Sequence, residues 1–257
     1  MTGSEGSDGA KAQAAGQVAT EALPEYRLAR VVREDWPLLA MFVLAFAAAA
    51  WVYPTLPERV PIHWGTNGEV NGWGSRMGAT FGMLGMFLGI YALMVVVPLI
   101  DPRHANYAKF LPTHRLIRWI TVIVCLGIWA FATAAARGAA VRIDVVVPVT
   151  LSVMLIVLGN VLGRLRHNWF VGIRTPWSLA NEEAWRLTHR AAGPAWVIGG
   201  LIGLVGGLRG GAVAAVTLIV GMGGAAVFSV VYSYFAYKRS LRGSTGAALS
   251  GHGPGAF

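Results

Sequence analysis

The side chains with the widest chemical repertoire crowd into HNWFVGIRTPWSLANEEAWRLTHR, residues 167 to 190. Glu183 with His189 suggests an acid–base pair. General acid–base catalysis also needs a group to act upon, and neither a nucleophile nor a His-Glu-x-x-His pattern accompanies them. His104, His114, His167 and His189 suggest a metal, but they lack close ligand spacing and an adjoining acidic cluster. The single cysteine, Cys125, lies in an apolar run, which excludes an intramolecular disulfide and a Cys-based cluster and leaves a small packing residue. The expectation is therefore binding rather than catalysis, with no metal and no cofactor.

Those residues must be positioned by apolar elements. The chain has 257 residues, 55% hydrophobic and 13% charged, about half the charge of an ordinary soluble domain. Six runs approach the ~20 residues a helix needs to cross the hydrocarbon core. They cover 36 to 53, 80 to 100, 117 to 136, 145 to 163, 191 to 208 and 212 to 236, the fifth being short and glycine-rich. Backbone groups in lipid must be satisfied internally, so the fold class is an all-α polytopic membrane protein with six transmembrane helices. About 35 residues, six of them acidic, precede the first run, which reads as a signal anchor rather than a cleavable signal peptide.

Lys and Arg set the orientation. Sixteen lie in one set of alternating segments and five in the other, which predicts both termini in the cytoplasm. The formal charge of +9 is then read as topology and contact with anionic lipid, not as nucleic-acid binding. Four regions follow: a disordered tail, 1–35; two helices with an outward loop, 36–100; a four-helix region, 101–240, containing the cytoplasmic motif 167–190; and a second disordered tail, 241–257. No ionisable residue is expected deep in a span, and Arg118 is read as snorkelling from a helix end. Polar residues within spans, such as Asn160, Thr121, Ser152 and Thr217, are read as bonding locally or between helices. Gly199, Gly203, Gly207 and Gly211 recur every four residues. This stripe packs the fifth helix on the sixth as an antiparallel hairpin, or joins two copies as a homodimer.

The outward loop reads PTLPERVPIHWGTNGEVNGWGSRMGA. Its prolines favour extension, and Asn67-Gly68 and Asn71-Gly72 signal tight turns, which together predict a compact cap. His63, Trp64, Gly65, Asn67, Gly68 and Trp73 are its candidate binding residues. In the cytoplasmic motif, Gly172 suits a tight turn and Thr175 an extended residue before Pro176. Asn181 suits the N-cap of an interfacial amphipathic helix, 182 to 192, with a Glu182–Arg186 pair. Ala184, Leu187, Thr188 and Ala191 would form its less polar face. Arg174 is expected to reach a lipid phosphate, Glu182 or Glu183. The candidate docking residues are Asn168, Gly172, Arg174, Thr175, Pro176, Trp177, Glu183, Trp185, His189 and Arg190.

VPIHWGTNGEVNGWGSR resembles the Pro-x-His-Trp signature of a bacterial domain of unknown function, and NWFVGIRTPWSLANEEAW followed by THR resembles the SdpI family motif. The resemblance covers about residues 35 to 240. It implies a multi-pass protein of the bacterial inner membrane that confers immunity to a secreted membrane-active peptide. A receptor that draws a transcriptional repressor to the membrane is a second implication. A transporter or lipid-handling protein is a third expectation, lowered by the lack of intramembrane charge.

Overall fold

The computed structural model describes residues 26 to 249, and side chains up to 242. The expected disorder of 1–25 and 250–257 lies outside the described residues. Inside them the expected tails are shorter than drawn. A helix, α1 (Leu28–Glu34), occupies the end of the N-terminal tail, and the last helix runs on to Leu249.

Trp36–Val52 forms α2, with Pro37 in its first turn, where the absent N–H costs nothing. A 3₁₀ turn leads to an antiparallel hairpin of β1 (Arg59–Trp64) and β2 (Val70–Ser75). The all-α expectation is corrected here, because the compact cap is built from strands. Asn67-Gly68 makes the expected turn, with Gly68 at φ +84°. Asn71-Gly72 instead lies within β2. Gly72 sits opposite His63, and a Cβ there would fall 2.7 Å from the His63 Cβ. An isolated hairpin is marginally stable in water. This one rests on a small core of Val52, Leu56, Val60 and Ala79.

A π-helical turn, Gly78–Gly82, opens α3 (Met83–Ile100). A 3₁₀ segment, His104–Phe110, leads into α4 (Leu111–Ala136), so this span begins well before the expected residue 117. Then come α5 (Ile143–Leu162), a short α6 (Pro176–Ala180), α7 (Glu182–Gly207) and α8 (Gly211–Leu249). Among the described residues, five helical stretches are long and apolar enough to cross a membrane: Trp36–Thr55, Gly78–Ile100, His104–Ala136, Ile143–Leu162 and Gly211–Arg242. The expected fifth crossing is not among them. It is the distal part of α7, which continues without a break from the charged 182–190 stretch through Pro194. No separate interfacial helix ends at residue 192.

Two packing systems hold the chain. Leu38, Phe42, Leu84, Phe87 and Trp129 join α2, α3 and α4. The other is glycine-based and holds α5, α7 and α8, with the most extensive contact between α7 and α8. A methyl group on Gly199 would overlap the Gly221 backbone, and one on Gly203 or Gly207 would press on Ser152 or Val149. Close backbone approach of this kind drives helix association in lipid. The stripe packs within the chain: Gly199 meets α8, as the antiparallel hairpin expects, and Gly203 and Gly207 also meet α5. Gly211 lies outside the stripe. It starts α8 at φ +59°, after Gly210 at φ +76°.

The β-hairpin meets this second system at Asp144. Asp144, in the first turn of α5, accepts from the Gly211 N–H at 2.8 Å and from Arg142 at 2.9 Å. The hairpin tip lies on the same side chain. A Cβ on Gly68 would sit 3.2 Å from the Asp144 Cβ.

Candidate functional site

The motif residues fold as a self-bonded loop between α5 and α7. Asn168, fully buried, organises it. Its Nδ2 donates to the Arg166 and Val171 carbonyls at 2.8 and 3.0 Å, while its Oδ1 accepts from the Phe170 and Val171 N–H groups at 2.9 and 2.6 Å. Four backbone groups that no regular element serves are satisfied by one amide, as a buried loop requires.

The loop is tied to the chain on three sides. Asp101, buried just after α3, accepts from the Trp169 N–H at 2.9 Å and from the Tyr107 hydroxyl at 3.1 Å. Asn106 donates to the His167 carbonyl at 2.8 Å. Thr175 is extended at ψ 158°, as its place before proline requires, and caps α6 in a reciprocal pair with Ser178. Its hydroxyl also reaches Ser233 of α8 at 2.8 Å. Asn181 caps α7 as expected, accepting from the Ala184 N–H at 2.8 Å, and its Nδ2 donates to Ser240 at 3.0 Å.

Trp185 is sandwiched between two imidazoles, with ring centroids 5.1 Å from His167 and 4.0 Å from His189, and its indole N–H donates to the Leu165 carbonyl at 3.0 Å. His189 Nδ1 donates to the Trp185 carbonyl, and Nε2 accepts from the Ile173 N–H at 2.9 Å. Both bonds together require a neutral ring. Burial reinforces that state, pushing the His189 pKa down to about 4. Burial, and after it the charge of Arg103, lowers His167 as well. Gly172 sits against His189 at φ +119°, and a Cβ there would overlap Nε2.

The α7 expectation is corrected accordingly. Its buried face is Ala184, Trp185, Thr188, His189 and Ala192, not Ala184, Leu187, Thr188 and Ala191. The helix start packs into protein rather than lying on lipid. Arg186 pairs with Glu183, through two bonds of 2.8 and 2.7 Å, and not with Glu182. Arg174 donates to the Trp169 carbonyl at 3.4 Å instead of meeting either glutamate. Glu183 is exposed and His189 buried, so the acid–base pair is not assembled. The four histidines do not converge either, because His104 is exposed and His114 belongs to another cluster.

Of the docking candidates, Asn168, Thr175, Trp185 and His189 are therefore interior groups. Gly172, Arg174, Pro176, Glu183 and Arg190 are exposed and Trp177 is half-buried against Tyr234. A groove of about 580 Å³ lies between the 3₁₀ segment and the start of α7. Lys109, Arg166, Arg186, Glu182 and Glu183 line it, with Trp185 and His167 in its wall.

On the hairpin, His63 Nδ1 donates to Asn71 Oδ1, and Asn67 bonds both the side chain and the N–H of Glu69. Ile62, His63 and Trp73 are exposed and Trp64 is half-buried. Gly65 and Gly68 shape the turn, with Gly65 N–H donating to Glu69.

A buried ionic cluster has no counterpart among the sequence expectations. Asp35, between α1 and α2, accepts from Arg118 Nε at 2.6 Å, the Trp119 indole at 2.7 Å and the Tyr91 hydroxyl at 3.3 Å. Arg118 is 2% exposed and does not snorkel. It also donates to His114 Nδ1 at 3.1 Å. The signal for this cluster was weak: an acid at one helix mouth and an arginine at another, 83 residues apart.

These features define a polytopic helical membrane protein with a small hairpin cap and a motif loop locked between helices. Residues 164–233 match the SdpI/YfhL protein family, and residues 40–88 match a domain of unknown function (DUF1648). The second match precedes the first along the chain, and the chain resembles SdpI-type membrane proteins in carrying both. It is 29% identical over 203 residues to the Immunity protein SdpI of Bacillus subtilis (strain 168), covering 78% of this chain and 94% of that protein. No solved structure matches it.

Proposed function

We propose that this protein confers immunity on a bacterial cell against a secreted membrane-active peptide, from a six-crossing arrangement in the inner membrane with both termini in the cytoplasm. The carrying observation is the folded hairpin, which displays Ile62, His63 and Trp73 to solvent while resting on the ends of the helices. An amphipathic peptide needs an apolar surface with a few polar contacts, and this face offers both. Likeness to the Bacillus immunity protein supports the reading. The sixth crossing is supported by the packing of α7 along α5 and α8, two helices of crossing length. A reporter fused at residue 70 should behave as external.

Expression of the chain in a peptide-sensitive bacterium tests the function. Survival should rise under challenge by at least one sibling-secreted peptide, and Trp73→Ala with His63→Ala should reduce protection about tenfold. Unchanged killing by all such peptides would refute immunity.

A receptor for a cytoplasmic regulator is the second reading, favoured by Trp169 and Phe170, which stay exposed on a loop otherwise fixed from within. Identical pull-down partners for the native chain and Arg174→Ala would count against it.

A further inference from the structure

A separate cavity of about 520 Å³ lies between α1 and the start of α4. Arg27, Arg30, Arg115 and Arg118 line it, together with Glu34 and His114. Arg30 holds Glu34 through Nε at 2.7 Å, and Arg115 donates to the Glu34 carbonyl at 3.0 Å while lying over the Trp119 ring. Arg30, Arg115 and Arg118 exceed Glu34 and Asp35 by one positive charge.

His114 supplies an unusual donor. Its Nδ1 accepts from Arg118, a side chain that only donates, so the ring proton sits on Nε2. That nitrogen is buried and has no hydrogen-bond partner, in a ring 1% exposed that lines the cavity. A buried N–H without an acceptor is costly and marks a place for one.

The other flank of α1 identifies where the acceptor comes from. Leu28 and Val32 on α1, and Trp36 at the start of α2, are exposed apolar side chains, with Trp36 67% exposed. Arginines on one side and apolar residues with a tryptophan on the other are the pattern of a helix lying at the headgroup boundary.

We propose that this cavity binds the phosphate of an anionic membrane phospholipid. Arg30 and Arg115 grip the phosphate oxygens with the N–H groups not used on Glu34, His114 Nε2–H donates from the inner wall, and the apolar residues on the opposite flank hold α1 at headgroup depth beside it. A free phosphate would use the same donors, but a helix seated at the headgroup boundary brings the cavity to lipid phosphates.

Native mass spectrometry of the full chain in detergent, titrated with phosphatidylglycerol and separately with phosphatidylcholine, tests this. Phosphatidylglycerol should be retained preferentially. Arg30→Gln and Arg115→Gln should each weaken retention about tenfold, His114→Phe several-fold, and Arg33→Gln, outside the cavity, not at all. Arg30 is exposed, so its variant keeps the test valid if a buried one misfolds. Equal retention of both lipids, or retention unmoved by Arg30→Gln, would overturn the proposal. So would displacement of phosphatidylglycerol by millimolar inorganic phosphate, which would identify a free anion as the ligand.

Discussion

Asn168→Ala removes the one side chain that satisfies four backbone groups of the motif loop. Each such bond is worth about 1 kcal/mol net, and more where the stripped group stays buried. Phe170 is partly exposed, so water can replace its share, and about 3 kcal/mol is lost locally. At 1.4 kcal/mol per decade, the loop opens roughly a hundredfold more often. Hydrogen exchange read by mass spectrometry on the detergent-solubilised chain should show the Phe170 and Val171 amides exchanging about two orders of magnitude faster. Amides of the α7–α8 contact should not change. Asn168→Asp keeps an acceptor for both N–H groups but loses both donated bonds, and it brings a second carboxylate to the Tyr107 hydroxyl already shared with Asp101. It should open the loop by a comparable factor. If Asn168→Ala leaves exchange at Phe170 and Val171 unaltered, the amide does not hold the loop and the account of the site fails.

Three further outcomes are expected. His189 is neutral when folded, with its pKa at about 4 against an ordinary 6.5, so the open loop binds more protons between those values. The stabilisation, roughly 3 kcal/mol, is complete above pH 6.5 and declines as pH falls towards 4, and exchange at Ile173 should accelerate across that window. Arg118→Met strands Asp35 in the interior at a cost of about 3–5 kcal/mol, lowering the melting temperature by on the order of 10 °C, whereas the double variant with Asp35→Leu should recover most of the loss. Gly199→Leu drives a side chain into the Gly221 backbone and should destabilise by roughly 1–3 kcal/mol or more in a thermal melt, while Gly223→Leu, with no atoms near its Cβ position, should not.

Much of this was legible because the physics was local. Five apolar runs fixed helices by length alone. Gly68, Thr175 and Asn181 announced a turn, an extended residue and a cap through their own backbone preferences. The failures were non-local. The face that α7 buries includes Thr188, as expected, but also Trp185 and His189, polar enough to read as flanking or wet, yet each finds its partner within the fold. Asp35 and Arg118 carry no mutual signal along the chain. Glycine every four residues pointed α7 at α8 but gave no sign that the same stripe also packs on α5. The hairpin was missed as strands because its glycines and asparagines lower strand propensity, and its register depends on the small core beneath it.

The contact of Gly68 with Asp144 limits how this protein can be rebuilt. The hairpin and the α7–α8 turn belong to different family matches, yet one aspartate, outside both, lies against the tip of the first and bonds the second. They are not interchangeable modules. A hairpin grafted from a relative needs a side-chain-free residue at that tip, and a bundle grafted beneath it needs a short acid at the start of α5. Chimeras that match one and not the other should misassemble at the seam even when both parents fold.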